Sequence, residues 1–463
     1  MKHELTAREK QIFIEMPPLQ SVLTLVVPTV LSQVIIVIYN LADTYFVGRA
    51  NNPSMVAAVA ICMPLLLMIT GMANLFGIGG SSTIAQSLGT NNFKRARSVS
   101  AFAIWGAAGI ILTYSLVLLF FYRPILMLLG ANADTFGYCY HYMFWITIVG
   151  GLPTIMNTLL AHLIRSEGAS KEASFGVSMG GIINLFLDPL FMFVILPPGH
   201  EVTGAAMATM LSNLVATAYF LIYIYRHRKG SVLSFNPKYI SLGDRIPNDV
   251  ISIGLPSFFM TILASFSNAV INNLFAHESS AAIAGMGVAK RINMLSFRVS
   301  TGITQGALPL IAYSHAAENY DRMKKAIVRA AMLAVGFSSI YMCLSYAFGT
   351  HLVRFFINDA DTIAYGSRFI RIICFALPLA STSMIAMMLF QATSNRLQAT
   401  LMSMLRKGIL DVPLMFILNG FIPLYGVAYA TPIAEVISCL TAVILVSKYL
   451  RNLATPGSEV GTL

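Results

Sequence analysis

Asp43 and Asp188 each sit near one end of a long apolar stretch. A carboxylate in hydrocarbon costs at least about 2.5–3.5 kcal/mol, so such residues face polar cavities and handle ions or protons. Tyr39 lies one helical turn before Asp43, and Asn184 one turn before Asp188, so each pair shares a helix face. Asp43 lies ~7 Å, Thr209 ~9 Å and Asp188 ~12 Å from the nearer end of its apolar run, at 1.5 Å per residue. Tyr142 is similarly shallow. If the helices converge, two carboxyls, an amide and several hydroxyls form one oxygen-rich pocket. Its two acids titrate as a unit, and it can take H+ or, through hard oxygen ligands, Na+. The competing reading is an aspartate that only satisfies backbone groups at a helix break.

Positioning these residues requires membrane-spanning helices. The sequence is 57% hydrophobic and 11% charged, with a mean hydropathy of +0.73. Soluble domains carry about 25% charged residues, which excludes that class. A transmembrane helix needs roughly 20 largely apolar residues. Twelve runs meet that length: 19–47, 55–88, 98–121, 138–165, 173–196, 203–225, 249–275, 281–314, 327–349, 366–391, 399–420 and 426–448. The expected fold is therefore all-α and integral to the membrane.

The net charge of +11 would suggest nucleic acid in a soluble chain. Here it follows from alternate loops. With the N-terminus in the cytoplasm, 22 of the 30 Lys and Arg fall on the cytoplasmic side, among them Lys2, Arg165, Arg322, Arg396, Arg406 and Lys407. Three fall outside: Arg49, Arg123 and Arg354. The positive-inside rule then puts both termini in the cytoplasm. The partner expected besides substrate is membrane lipid, and no nucleic acid. The odd number of cysteines, five, scattered through apolar segments, reads as small packed hydrophobes, not a disulfide or metal frame. No cleavable signal is expected, because the first run is long and leads into Tyr45, Phe46 and Arg49.

The two halves resemble each other in order. Pro28 matches Pro256, Asn40 matches Asn268, and Leu152-Pro153 matches Leu377-Pro378. GIGGSSTIAQSLGTNN echoes GITQGALPLIAYSHAAEN, FLDPLFMF echoes ILDVPLMF, and GAAMAT echoes GVAYAT. An even number of spans per unit keeps both copies in one orientation, an architecture of secondary transporters. The division expected is a cytoplasmic tail 1–18, an N-lobe 19–225, a linker 226–248, a C-lobe 249–448 and a cytoplasmic tail 449–463. Pro28 is a candidate helix kink, since proline removes a backbone hydrogen bond.

The second half is charged differently. Lys290, Arg291 and Arg298 fall in the eighth span, Asp411 in the eleventh and Glu435 in the twelfth. Opposite charges in a bundle pair structurally; the alternative is that Lys290 or Arg291 lines a central cavity and meets an anionic group. Gly77-x-Gly79-Gly80 follows no strand and reads as close helix packing. No Walker motif is present, and no clustered His/Glu motif or Ser–His pair marks an enzyme.

These motifs resemble the multidrug and toxic compound extrusion (MATE) family, and within it the bacterial MepA-like branch. The resemblance spans nearly the whole chain and is carried by PTVLSQVIIVIYNLADTYFVGR, GIGGSSTIAQSLGTNN, INLFLDPLFMF and QGALPLIAYSHAAEN. It implies two six-helix lobes around a central cleft and antiport of organic cations against H+ or Na+, with no other cofactor. It maps the family's N-lobe cation site onto Asp43, Asn184, Asp188 and Thr209, with Tyr39, Tyr142 and Asn157 as weaker matches. Pro28 matches the proline at which the first helix bends in some members. Members with a C-lobe cation site carry acids in the seventh and tenth spans. Here the seventh carries Asn268, Asn272 and Asn273 and the tenth has no acid, which points to the first lobe. The alternative within the superfamily is a lipid-linked oligosaccharide flippase, for which a cationic cavity would be diagnostic. A bacterial cytoplasmic membrane is the location expected.

Overall fold

The structure is a computed structural model that describes residues 4–49, 52–275 and 280–453. Lys2 and residues 454–463 of the expected C-terminal tail lie outside the described residues. The described elements are helical, and twelve helical passes run back and forth. The first six are α1 (Pro18–Gly48), α2 (Pro53–Gly89), α3 (Phe93–Leu128), α4 (Phe136–Val149 and Gly151–Ser166), α5 (Ser170–Ile195) and α6 (Glu201–His227). The second six are α7 (Ile246–Phe275), α8 (Ser280–Ala316), α9 (Tyr320–Phe356), α10 (Ala360–Ile373 and Ala376–Ala392), α11 (Arg396–Met404, Leu405–Ile409 and Asp411–Phe421) and α12 (Tyr425–Asn452). Ten are long and apolar enough to cross a membrane, counting each bent pair as one. The other two carry several charges each: Lys290, Arg291 and Arg298 on α8, and Arg406, Lys407 and Asp411 on α11.

Most helices outrun their apolar runs, α9 (Tyr320–Phe356) most of all, because helical hydrogen bonding continues into the polar interface. Proline acts unevenly. Pro153 and Pro378 lie just past the bends in α4 (49°) and α10 (42°). Pro28 and Pro256 instead sit inside helices that continue through them.

The hydrophobic cores show how the lobes meet. One cluster draws on both lobes, from Ile12 and Leu25 through Ile164 to Leu310 and Leu389. It lies toward the face that carries both described chain ends, since Leu5 and Leu453 pack against it. Toward the opposite face the cores are separate, one around Leu118, Cys139 and Val202 and one around Phe275, Phe369 and Val427. The lobes are therefore joined at the terminal face and parted toward the other.

Glycine makes that junction close. A Cβ on Gly79 would lie 1.9 Å from the Val250 carbonyl oxygen, and one on Gly254 would lie 1.8 Å from that of Leu75. The pseudo-equivalent contact sets Gly302 against Val30 and Gly306 against Val26, each with a Cβ 2.8 Å from the facing Cα. Small residues let backbones approach this way in membranes. Among the described residues, side-chain hydrogen bonds between the lobes keep to this half. Gln33 Nε2 donates to Gln305 Oε1 at 3.2 Å, Ser82 Oγ to the Gln391 carbonyl at 2.9 Å, and Gln86 Nε2 to the Ala392 carbonyl at 2.9 Å. At the rim, Asp249 accepts from Arg95 of the first lobe and Arg396 of the second.

The segment before α1 is not a loose tail. Residues Ala7–Lys10 and Gln11–Glu15 are helical, Phe13 stacks on Tyr313 at 4.9 Å, and Arg8 pairs with Glu172 at 2.7 Å. Arg322 donates to the Ile12 and Met16 carbonyls and to Ser21 Oγ at 2.7–2.9 Å, so the segment braces both lobes. Of the charges counted above on the cytoplasmic side, Arg165, Arg322 and Arg406 are buried, at 3%, 8% and 4% exposure, and Lys407 is half-buried at 20%. Arg165 belongs to the last turn of α4, while Arg406 and Lys407 lie mid-helix in α11. Buried acids hold the latter two in place, a tertiary effect that a loop count cannot register.

Replacing Gly254 by alanine is expected to force α2 and α7 apart and destabilise the protein by about 1–3 kcal/mol. Gly287→Ala, where a Cβ meets nothing within 4 Å, is expected to be neutral. Thermal unfolding of purified protein, followed by loss of the monodisperse peak, checks both.

The loop carboxyl of Glu167 accepts from Ser231 Oγ at 2.8 Å and from the Val232 amide at 2.6 Å, fixing the linker. Burial, with Glu9 adding repulsion, pushes its pKa up to about 8. A buried acid raised in this way favours the fold at low pH, and that contribution is lost as pH rises through about 8. Proteolysis of the 226–248 linker is expected to quicken above that pH, and Glu167→Gln to remove the dependence.

Candidate functional site

The first lobe gathers the residues singled out on α1, α4, α5 and α6. Asp188 is fully buried on α5. Its Oδ1 accepts from Asn184 Nδ2 at 3.0 Å, one turn earlier, and the same amide reaches Thr209 Oγ1 on α6 at 3.4 Å. Pro189 follows at once and removes a ladder bond, and the chain continues as π-helix over Phe191–Ile195. Helix irregularity of this kind is frequent at functional sites.

Asp43 and Tyr39 are half-buried on α1, and Tyr142 is buried on α4. The charges of Asp43 and Asp188 interact through space, and both act on the Tyr39 and Tyr142 hydroxyls. Gly181 makes room for Tyr39: a Cβ there would lie 2.7 Å from the tyrosine ring. That contact holds α1 against α5 and brings its acid to the pocket. The structure thus assembles all six residues, three by hydrogen bonds and three by proximity and charge.

One carboxyl oxygen of this pocket stands apart. Asp188 Oδ2 is buried and has no hydrogen-bond partner. An unsatisfied carboxyl oxygen in an apolar interior is costly, and a proton or a monovalent cation is the kind of partner that would satisfy it. Nearby, Asn157 donates to Asn213 Oδ1 at 2.8 Å, and Asn213 donates to the Thr209 carbonyl at 2.9 Å. Asn157 therefore reaches the site through Asn213. The sequence signal for Asn213 is its place one turn after Thr209, on the same face. Arg298 was also missed as a neighbour: it projects from α8 of the other lobe and acts electrostatically on Tyr39.

The second-lobe charges pair, but not with the partners expected from α8. Glu435 accepts from Arg406 Nε at 2.6 Å, and Asp411 accepts from Lys407 Nζ at 3.2 Å. Lys290 donates to Asn268 Oδ1 at 3.0 Å, and Arg291 is exposed and enters no ion pair among the described residues. Among the described residues no group of three or more His, Cys, Asp or Glu could hold a metal ion.

Two like lobes of six membrane helices, joined at one face and carrying a polar pocket in one lobe, have the architecture of a secondary transporter built from parallel repeats. A family model described as MatE matches the chain twice, over residues 28–190 and 256–417. The chain belongs to the MatE family. It is 28% identical over 451 residues to the multidrug export protein MepA of Staphylococcus aureus, covering 97% of this chain and 98% of that one. The Staphylococcus saprophyticus protein of the same name is 29% identical over 436 residues, with 94% of each chain covered. A solved structure described as the outward-facing conformation of a multidrug resistance MATE family transporter superposes with a TM-score of 0.90 at 20% identity, covering 97% of this chain and 99% of that one. A MOP superfamily transporter from Pyrococcus furiosus, described as having a binding pocket of reverse polarity, superposes at 0.89, also at 20% identity, over 98% of this chain and all of that one.

Asp188→Asn removes a buried charge and its repulsion with Asp43, while its side-chain carbonyl still accepts from Asn184. Functional sites hold such destabilising groups, so this variant is expected to melt at a higher temperature than the parent. A purely structural aspartate would give a fall.

Proposed function

We propose that this protein is a multidrug efflux antiporter, exporting lipophilic organic cations in exchange for H+ or Na+ taken up at the Asp43–Asp188 pocket. The observation that carries the coupling site is the buried, unpartnered Asp188 Oδ2 beside a second carboxylate. Family membership and the printed names of the relatives support multidrug export. The Lys and Arg distribution supports a bacterial cell membrane with the terminal face in the cytoplasm, which makes the parted face the outer one. No further cofactor enters this reading.

Ions arriving from outside load the acid pair and neutralise it. Neutral carboxyls repel less and release their hold on a cationic substrate, which leaves through the parted outer face. Loading also alters the packing of α1, where Tyr39 rides on Gly181 and Pro28 lacks a backbone donor. Once the lobes part at the terminal face instead, the ion leaves to the cytoplasm and substrate binds. Exchange requires ion and substrate to bind the two states with different affinities.

The flippase reading needs unpaired positive charge in the cleft. Arg406 and Lys407 are consumed by Glu435 and Asp411, which leaves Lys290, Arg291 and Arg298 to serve it, and of these Arg291 is exposed and Lys290 is bonded to Asn268. The antiporter reading is the better supported.

The test is ethidium efflux from proteoliposomes under an imposed pH or sodium gradient. Gradient-driven efflux is expected in the parent, with Asp43→Asn and Asp188→Asn each lowering it at least ~100-fold at equal protein level, the loss expected for a residue acting in proton transfer. Efflux surviving both substitutions would place the coupling elsewhere, and none with either gradient would sink the antiporter reading.

A further inference from the structure

The internal repeat aligns the first-lobe pocket with a second one, position by position. FLDPLFMF over ILDVPLMF sets Asp188 on Asp411 and, one turn earlier, Asn184 on Lys407. GAAMAT over GVAYAT sets Thr209 on Thr431, and the Asn40–Asn268 match sets Tyr39 on Ser267 and Asp43 on Ile271. The structure assembles these counterparts too. Asp411 is fully buried; its Oδ2 accepts from Ser267 Oγ at 2.8 Å and Lys407 Nζ at 3.2 Å, and its Oδ1 from Thr431 Oγ1 at 3.1 Å. Ile271 is 6% exposed in the apolar core of this lobe.

The two pockets differ in one respect that matters electrically. The first has two acids, an amide and an acid oxygen without a partner. The second has one acid, a lysine where the amide would be, and both acid oxygens satisfied. Charged groups around Asp411 are Lys407 on its own helix, Lys290 on α8, and the Arg406–Glu435 pair on α11 and α12. Of these only Lys407 is bonded to it.

We infer that the second pocket is a duplicate of the cation site permanently filled by a tethered cation, the Lys407 ammonium. Lys407 Nζ occupies the place that a mobile cation takes in the first lobe, and so confines ion coupling to Asp43 and Asp188. The role of Lys407 is to silence a site, and the acid it silences is intact. This inference rests on the first-lobe reading above for its contrast, while the state of Asp411 is tested separately from it.

The test reads melting temperature of the purified, full-length protein against Na+ concentration and against pH, with the first-lobe site silenced by Asp43→Asn and Asp188→Asn together. A ligand that binds only the folded state raises its stability as its concentration rises. With Lys407 present and the Glu167 contribution removed by Glu167→Gln throughout, this background is expected to show no upward shift with Na+ or acid. Adding Lys407→Asn frees Asp411, and an upward shift with Na+ or acid is expected to return; adding Asp411→Asn as well removes it again. The inference is overturned if Lys407→Asn gives a folded, monodisperse protein with no such shift, or if the shift is already present with Lys407 in place and is unaffected by Asp411→Asn.

A reciprocal variant keeps the test open should Lys407→Asn fail to fold. Asn184→Lys in the otherwise unaltered protein plants the tethered cation in the first lobe, and is expected to abolish both ion-dependent stabilisation and gradient-driven efflux. Retention of ion-dependent stabilisation in that variant counts against the inference. The first-lobe reading itself fails independently if the unaltered protein shows no ion-dependent shift.

Discussion

Every carboxylate drawn into this bundle must find a positive partner or pay the cost of burying an unpaired charge. The protein meets that constraint in different ways at different depths. Asp249, at the rim, is clamped between two arginines from opposite lobes. Glu435 and Asp411, within the second lobe, hold Arg406 and Lys407. Glu435 Oε2 and Asp188 Oδ2 are both left without a hydrogen-bond partner, but Glu435 holds an arginine through its other oxygen, whereas Asp188 is bonded only to an amide and feels a second acid. Paired charge fixes the scaffold, and the acid without a positive partner is the one on which the proposed ion coupling rests.

The junction between the lobes is the second requirement. Two glycine-mediated contacts, α2 on α7 and α1 on α8, repeat across the pseudo-twofold relation and draw the backbones together at the terminal face. The first-lobe pocket lies in the other half, where the cores are separate. The pocket's α1 is also a junction helix: Val26 and Val30 touch α8, while Tyr39 packs on α5. One continuous helix thus connects the acid pair to the surface along which the lobes meet. Charge at Asp43 therefore has a direct mechanical route to the junction, through a helix already weakened by Pro28.

Much of this was legible in the chain. Apolar runs placed twelve helices to within a few residues, and the repeated motifs gave the two lobes. Polar residues at matched depths picked out the six members of the first-lobe pocket, because a polar side chain in an apolar run has few reasons to be there. The errors fell where burial is decided by a distant partner. Arg165, Arg406 and Lys407 read as loop charges near helix ends. The segment before α1 read as a tail, though Arg322 and Glu172 dock it. Asn213 was hidden among the ordinary polar residues of α6.

The sequence by itself determined membrane residence, helix number, duplication and the location of the intramembrane acids, since these follow from local composition and spacing. Only the tertiary structure decided which charges pair. A lysine one turn from an aspartate can point at it or away, and the choice depends on what Ser267 and Thr431 bring from neighbouring helices. It also decided that Asp188 keeps one oxygen without a partner, because satisfaction is a property of the whole shell around an atom. The same local pattern, an aspartate with a polar residue one turn before it, became an amide–acid contact with one acid oxygen unpartnered in one lobe and an ion pair in the other.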